Sequence, residues 1–476
     1  MAFLIGGANS AAADTAFSVD NSCRWNRADT PYMHQTFSGA GNRDKWTFSC
    51  WVKKCSNGVE QRLLTTSDNS TYDDNIRFES DDKFMIICNN TEVLKTNRMF
   101  RDNSAFYHIC VIWDSGNGTS GDRVQLWVNG TRETSFGTEA YPDQNTDSHI
   151  NNATPHYIGV TNATANSHHL HGYLAEVVFQ NDSAASPVDK FGEFDEDSPT
   201  IFKPIDVSGL TLGTNGTYLD FEDSSNLGND IGGGTDWTEV NFAATDQSSD
   251  SPTNSFATWN SLADYYYAGS YAEGNCQTTT GSSEYGYLPA TIGVSSGLWY
   301  CEIEWDAKSG GSGAGQIGIT STQSTASNIQ LGQNAYDYGW YGPDGKVYNN
   351  NDGDTITGQN TFTEGDIIGI YLDLNANKLY FAKNGTLENS GTGISITDPA
   401  STPLGAYFFA ICYPSSSYTG TYKANFGGCP AFAISSGNTD ANGYGNFEYD
   451  PSSGTFDSAS KNFLALCTKN LGSDGG

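Results

Sequence analysis

Positive charge is scarce in this chain: 23 Lys and Arg stand against 55 Asp and Glu in 476 residues, a formal net charge of -32 at pH 7. The deficit is shared, with 16 basic against 35 acidic residues in positions 1–260 and 7 against 20 in positions 261–476. Without basic stripes the phosphate-neutralising part of nucleic-acid binding is missing, and an anionic membrane would repel the surface. Neither is expected as a partner, and the acidity reads as a solubility feature. Long apolar runs are missing too. No window approaches the roughly 18 apolar residues of a membrane span, so no membrane insertion is expected. At the N-terminus the run Phe3 to Ile5 has no Lys or Arg ahead of it, which is too little for a secretory signal. No stretch shows a sustained apolar stripe at the helical period. The ten cysteines contain no C-x-x-C and no histidine at zinc-finger spacing. Most lie in apolar strand patterns, where a reduced thiol serves as a small core residue. Signatures of the G-x-S-x-G, H-E-x-x-H and P-loop kind are absent as well.

What is abundant is the vocabulary of short strands and tight turns: 53 Gly, 26 Tyr, 25 Phe and 10 Trp, with many Asn, Ser and Thr. This usage predicts an all-β protein, and the length predicts at least two cores. The clearest stretch is D-R-V-Q-L-W-V-N-G-T-R-E, Asp122 to Glu133. Leu126 and Val128 alternate with Gln125, Trp127 and Asn129, and Asn129-Gly130 suits the positive φ angles of a type I′ turn. The pattern returns in N-K-L-Y-F-A-K-N-G-T-L-E, Asn377 to Glu388, with Asn384-Gly385 at the turn. Each is expected to be a hairpin inside its own β-sandwich. Further strands are expected at Ala16 to Asn26, Lys45 to Lys53, Phe106 to Trp113, His171 to Gln180, Leu298 to Asp306 and Leu404 to Tyr413. Arg77 to Cys88 reads as two strands joined at Asp81-Asp82. Because Phe106 to Trp113 is apolar on both faces, its sheet should be covered on both sides.

The succession W-T-F-S-C-W-V-K, F-Y-H-I-C-V-I-W-D, V-Q-L-W-V-N-G and H-G-Y-L-A-E-V-V-F resembles the laminin-G/concanavalin-A-like lectin fold. S-V-D-N-S-C-R-W-N with G-N-R-D-K-W-T-F-S-C-W-V-K is similar to the version carried by tailed bacteriophages. Gly365 to Gly385, G-D-I-I-G-I-Y-L-D-L-N-A-N-K-L-Y-F-A-K-N-G, resembles the signature of SPRY domains, and A-N-F-G resembles their last strand. The expected organisation is therefore two antiparallel, jelly-roll-like β-sandwiches in series, joined by an irregular packed connector. The lectin-like sandwich takes residues 1–200, the connector 201–261, the SPRY-like sandwich 262–430 and a C-terminal tail 431–476. Thr217 to Phe221 is a candidate extra strand for the first sandwich. Phe463 to Cys467 is expected to pack back as a strand or short helix.

Candidate sites follow from residue chemistry. In Tyr336 to Asp354, Tyr338, Trp340 and Val347 read as core around a P-D-G turn, which leaves Tyr341, Asp344 and Tyr348 as a rim for ligand contact. For metals, the loop containing Asp68, Asp73 and Asp74 offers hard oxygen ligands of the kind calcium takes, as does Asp114 to Asp122, although neither has EF-hand spacing. His169 and His171 would share one side of an extended segment, the arrangement that ligates a transition metal when copies meet on an axis; a solvated loop is the plainer reading. No cofactor is expected beyond such a calcium ion. The lectin-like fold also houses glycosidases with paired carboxylates. Glu193/Asp195 and Glu302/Glu304 come nearest, the first pair in an acidic loop and the second on the solvent face of a strand.

Together the resemblances imply a non-enzymatic bacteriophage virion protein, tail-fibre, tail-associated or capsid-decorating, that adheres through its loops to host-surface glycan or protein. It would be assembled in the host cytoplasm, repeated as a homo-oligomer among other virion proteins and exposed on the particle. A purely structural subunit docked on capsid or tail neighbours is the alternative, and a glycan depolymerase a weaker third.

Overall fold

The computed structural model describes residues 4–5, 17–68, 71–184, 186–188, 190–263, 269–281, 287–310, 315–323, 329–350, 356–413 and 417–473. It is nearly all β, 40% strand and 6% helix. The described residues divide into two compact units, one within Asp14–Asn254 and the other within Ser255–Gly476.

The first unit is a sandwich of two antiparallel eight-stranded sheets. At the centre of one lies Lys45–Lys54, between Tyr107–Asp114 and Gly172–Asn181. Alternation sends Trp46, Phe48 and Cys50 into the main core and Trp51 to the opposite face, as the period of two requires. Trp46 and Trp113 stack there with centroids 6.0 Å apart. The other sheet runs Phe136–Glu139, Thr91–Met99, Lys83–Cys88, Asp73–Phe78, Gln61–Ser67, Pro155–Ile158, Tyr32–Thr36 and Thr238–Val240. The expected opening strand shortens to Ser22–Trp25.

Tyr107–Asp114 is covered on both faces: Ile109, Val111 and Trp113 enter the main core, while Cys110 and Ile112 pack under Phe191, Val207, Leu212 and Tyr218. The stretch read as a connector therefore supplies a third layer. Within it, Thr217–Leu219 adds itself to Gly172–Asn181 as a strand, and Gln247–Ser248 closes the sheet beside Ser22–Trp25. The layer is pinned by a fully buried ion pair, Lys53 Nζ to Asp250 Oδ2 at 2.7 Å.

The second unit repeats the plan. One sheet runs Ser270–Ala272, Gln277–Thr279, Gly420–Asn425, Leu298–Lys308, Ile367–Asp373, Lys378–Lys383 and Thr386–Leu387. The other runs Tyr287–Pro289, Phe408–Cys412, Gln316–Thr320, Asp337–Tyr341 and Lys346–Tyr348. Here the C-terminal tail is the third layer. Leu464–Ala465 pairs with Leu298–Lys308 in parallel, the helix Thr468–Ser473 follows, and Phe447, Phe456 and Phe463 pack on Tyr300, Tyr371 and Tyr380.

Both N-G hairpins form, with positive φ at Asn129 (47°) and Gly130 (71°), and at Asn384 (47°) and Gly385 (76°). In each the Asn completes the ladder with its side chain. Asn129 N–H donates to the His108 carbonyl while its Oδ1 accepts from His108 N–H; Asn384 does the same with Ile367. Each Gly then seats a ring from the third layer, Phe202 on Gly130 and Tyr449 on Gly385, where a Cβ would collide. All ten cysteines are buried, and none is joined in a disulfide.

Candidate functional site

The antiparallel pair Asp337–Tyr341 and Lys346–Tyr348 ends the smaller sheet of the second unit. Alternation buries Tyr338, Trp340 and Val347 and turns Tyr341 and Tyr348 outward. The turn between them is closed by Asp344, whose Oδ1 accepts the Lys346 N–H at 2.9 Å, with Gly345 at φ 69°. Its Oδ2 accepts the Tyr348 hydroxyl at 2.8 Å. The rings of Tyr341 and Tyr348 meet edge to face, 5.8 Å apart and at 89°. The three sequence-predicted residues are thus brought together in one hairpin, with two half-buried rings and an exposed carboxylate. Residues 351–354 of the same stretch lie outside the described residues.

The neighbouring loops add side chains that the sequence reading missed. Burial, and after it the proximity of Glu364, Tyr341 and Tyr418, push the Tyr413 phenol up. Tyr418 is 39% exposed. Lys308 Nζ lies 3.5 Å from Glu364 and 5.4 Å from the Trp305 ring centre. The available signal for Tyr418 was one aromatic in the polar run S-S-S-Y-T-G, which is large for a residue that no core pattern claims. Rings that present a flat face beside carboxylate and ammonium groups suit sugar rings or peptide side chains.

The metal candidates lie apart. Asp68 Oδ1 caps its own loop, accepting from the Thr71 and Tyr72 N–H groups; Asn69 and Ser70 lie outside the described residues. Asp73 and Asp74 belong to the strand Asp73–Phe78 rather than to the loop, so they face opposite sides. Asp73 meets Arg62 at 3.4 Å. Asp74 is buried, accepting from the N–H groups of Asn89 and His149. His169 and His171 are each only 5% exposed, which corrects the reading of a solvated loop: the segment tucks under Arg27, which donates to the His169 carbonyl. Burial, then Arg27 and Arg24, push His171 down to about 3. Two guanidinium groups also oppose a cation there. Among the described residues, no group of three or more His, Cys, Asp or Glu is placed to hold a metal.

The weighed carboxylates are committed elsewhere. Glu193 and Asp195 each lie 3.5 Å from Lys203 Nζ. Glu302, expected on a solvent face, is buried, because the C-terminal layer covers that side of the strand. Its carboxylate accepts from Tyr300 OH, Asn425 Nδ2 and the N–H groups of Glu448 and Tyr449 at 2.7–3.0 Å. Ser49 Oγ lies 2.8 Å from His108 Nε2, the spacing of an activated serine. The pair is nonetheless buried, His108 Nδ1 has no partner, and burial pushes the ring down to about 3. Buried away from any substrate, and too weak a base to take up the serine proton, His108 is not placed to activate Ser49.

Comparison with known families agrees with this architecture. Residues 28–187 match the Concanavalin A-like lectin/glucanases superfamily, and residues 298–428 match the SPRY domain. Similar solved structures include the SPRY domain of human HERC1, with 21% identity over 33% of this chain and 89% of that one and a TM-score of 0.26. Another is the heptameric SAP-like pentraxin of Limulus polyphemus, with 12% identity over 36% of this chain and 81% of that one and a TM-score of 0.28. No curated protein matches the chain.

Proposed function

We propose that the chain is a non-catalytic binding protein of a tailed-phage particle, which adheres to host-surface glycan or protein through the rim around Tyr341, Asp344 and Tyr348. The observation that supports it is that hairpin: two outward tyrosines at right angles and a carboxylate already oriented by the Tyr348 hydroxyl. Such a rim needs little ordering on contact, which favours affinity. The virion setting rests on the phage-like S-V-D-N-S-C-R-W-N and G-N-R-D-K-W-T-F-S-C-W-V-K segments. The test is adsorption of particles in which Tyr341 and Tyr348 are both changed to Ala. Adsorption should fall at least tenfold while the particle count stays constant; undiminished adsorption would remove the rim from the account.

A further inference from the structure

In the first unit a strained acid lies under the third layer. The strand Gly172–Asn181 bulges between Ala175 and Val178, and Glu176 within the bulge takes a φ of 49°, where a residue with a Cβ is strained. Val177 pairs with Leu219 of the added strand Thr217–Leu219, and two residues past Leu219 the bulky Phe221 also stands at positive φ, 61°. Both strands leave regular geometry at adjoining places. One hydrogen bond ties them there: the Tyr218 hydroxyl donates to Glu176 Oε2 at 2.7 Å. The Tyr218 ring joins Val178, Phe191 and Leu212 in the cluster beneath the layer. Glu176 and Tyr218 are each only 6% exposed.

The charges that weigh most on Glu176 are all acidic: Asp220 and Glu222 from the chain after the added strand, and Asp206 from the loop before it. Glu222 in turn feels Asp20. Across the adjoining strand Lys45–Lys54, the residues at the bulge are Trp51 and Ser49, and their own partners are His108 and Cys110. Burial keeps both of these uncharged, pushing the His108 ring down to about 3 and the Cys110 thiol up. Behind the added strand, Asp230 accepts from the Tyr218 N–H at 2.9 Å and the Thr217 hydroxyl at 3.1 Å. Burial, opposed by the Tyr218 hydroxyl and then aided by Asp220, pushes Glu176 up to about 8. In the closed layer it therefore carries its proton at neutral pH.

We propose that Glu176 is a proton latch for the third layer: neutral, it lets Thr217–Leu219 lie on Gly172–Asn181, and once ionised it drives that strand off while the two sheets stay folded. An ionised Glu176 in the closed layer would be a carboxylate out of water, facing three others. The added strand is three residues long, so its release is a local opening that gives the charge water. The raised value belongs to the closed layer. Closure is thus complete below the open value near 4.5, weakens as pH rises, and levels off above about 8.

The test is amide hydrogen exchange of the full chain at pH 6 and pH 9, corrected for the intrinsic rate of each amide. Protection of Thr217–Leu219 should fall about tenfold or more between the two, while that of Asp73–Phe78 in the other sheet holds. Glu176→Gln keeps an acceptor for Tyr218 without the charge and should remove most of the fall; Asp230 is the same in both chains, so the difference reports Glu176. Tyr218→Phe keeps the ring but loses the donor that favours the ionised form, so its fall should continue to higher pH before levelling off. Equal pH dependence in the native chain and Glu176→Gln would overturn the proposal, as would a matching loss at Asp73–Phe78. Unchanged protection of Thr217–Leu219 in the native chain would overturn it without any variant.

Discussion

Glu302 is a buried carboxyl group with four donors. Burial pushes its titration up to about 7, against donors that pull it down. A raised folded value means that the folded state holds the proton more tightly than the unfolded chain does. The associated stability is therefore complete below the unfolded value near 4.5 and is lost as pH rises through about 7. The second unit should melt higher at pH 5 than at pH 8 by an amount on the order of 3 kcal/mol. Glu302→Gln should flatten that dependence, as followed by calorimetry. Glu302→Ala leaves the N–H groups of Glu448 and Tyr449 unanswered and should cost about 3 kcal/mol or more at neutral pH. Glu176 in the first unit is a parallel case: burial raises it to about 8, and it sits at φ 49° in a strand bulge, receiving the Tyr218 hydroxyl at 2.7 Å.

At the scale of elements, the two N-G hairpins are one device used twice. The Asn side chain closes the ladder and the Gly makes room for a ring of the third layer, so neither position tolerates a larger or differently shaped residue. Gly130→Ala and Gly385→Ala should each destabilise their unit by about 1–3 kcal/mol, through strain at positive φ and collision with Phe202 or Tyr449. Denaturant midpoints of the single variants would check this, and a change in either below a few tenths of a kcal/mol would count against the ring-seat account. These hairpins were legible in the sequence because a period of two and a turn dipeptide are written in adjacent residues. So was the hairpin that joins Tyr341, Asp344 and Tyr348. The burial of Glu302, His169 and His171 was not, because what covers them arrives from distant chain: residues 448 and 449 for Glu302, and Arg27 for the histidine segment. Tyr418 escaped for the same reason, since folding and not spacing brings it beside Tyr413, which also neighbours Tyr341.

For the molecule as a whole, each sandwich carries a third layer made from the stretch that follows it, residues 184–254 in the first unit and 431–473 in the second. Neither stretch is a tether. Truncation after residue 430 should expose Tyr300, Tyr371 and Tyr380 and leave Glu302 uncovered, giving a second unit that aggregates or binds hydrophobic dye. A soluble, cooperatively melting truncation would contradict the layer's structural role. With one sheet of each unit covered in this way, edges, rims and the uncovered faces are left for contact, and the Tyr341 hairpin is one rim that sets two rings beside a carboxylate. The most direct measurement is the binding isotherm of the purified chain on host-cell envelopes, alongside the Tyr341→Ala/Tyr348→Ala variant. The account predicts saturable binding by the native chain and at least tenfold weaker binding by the variant, whereas equal isotherms, or no binding by the native chain, would contradict it.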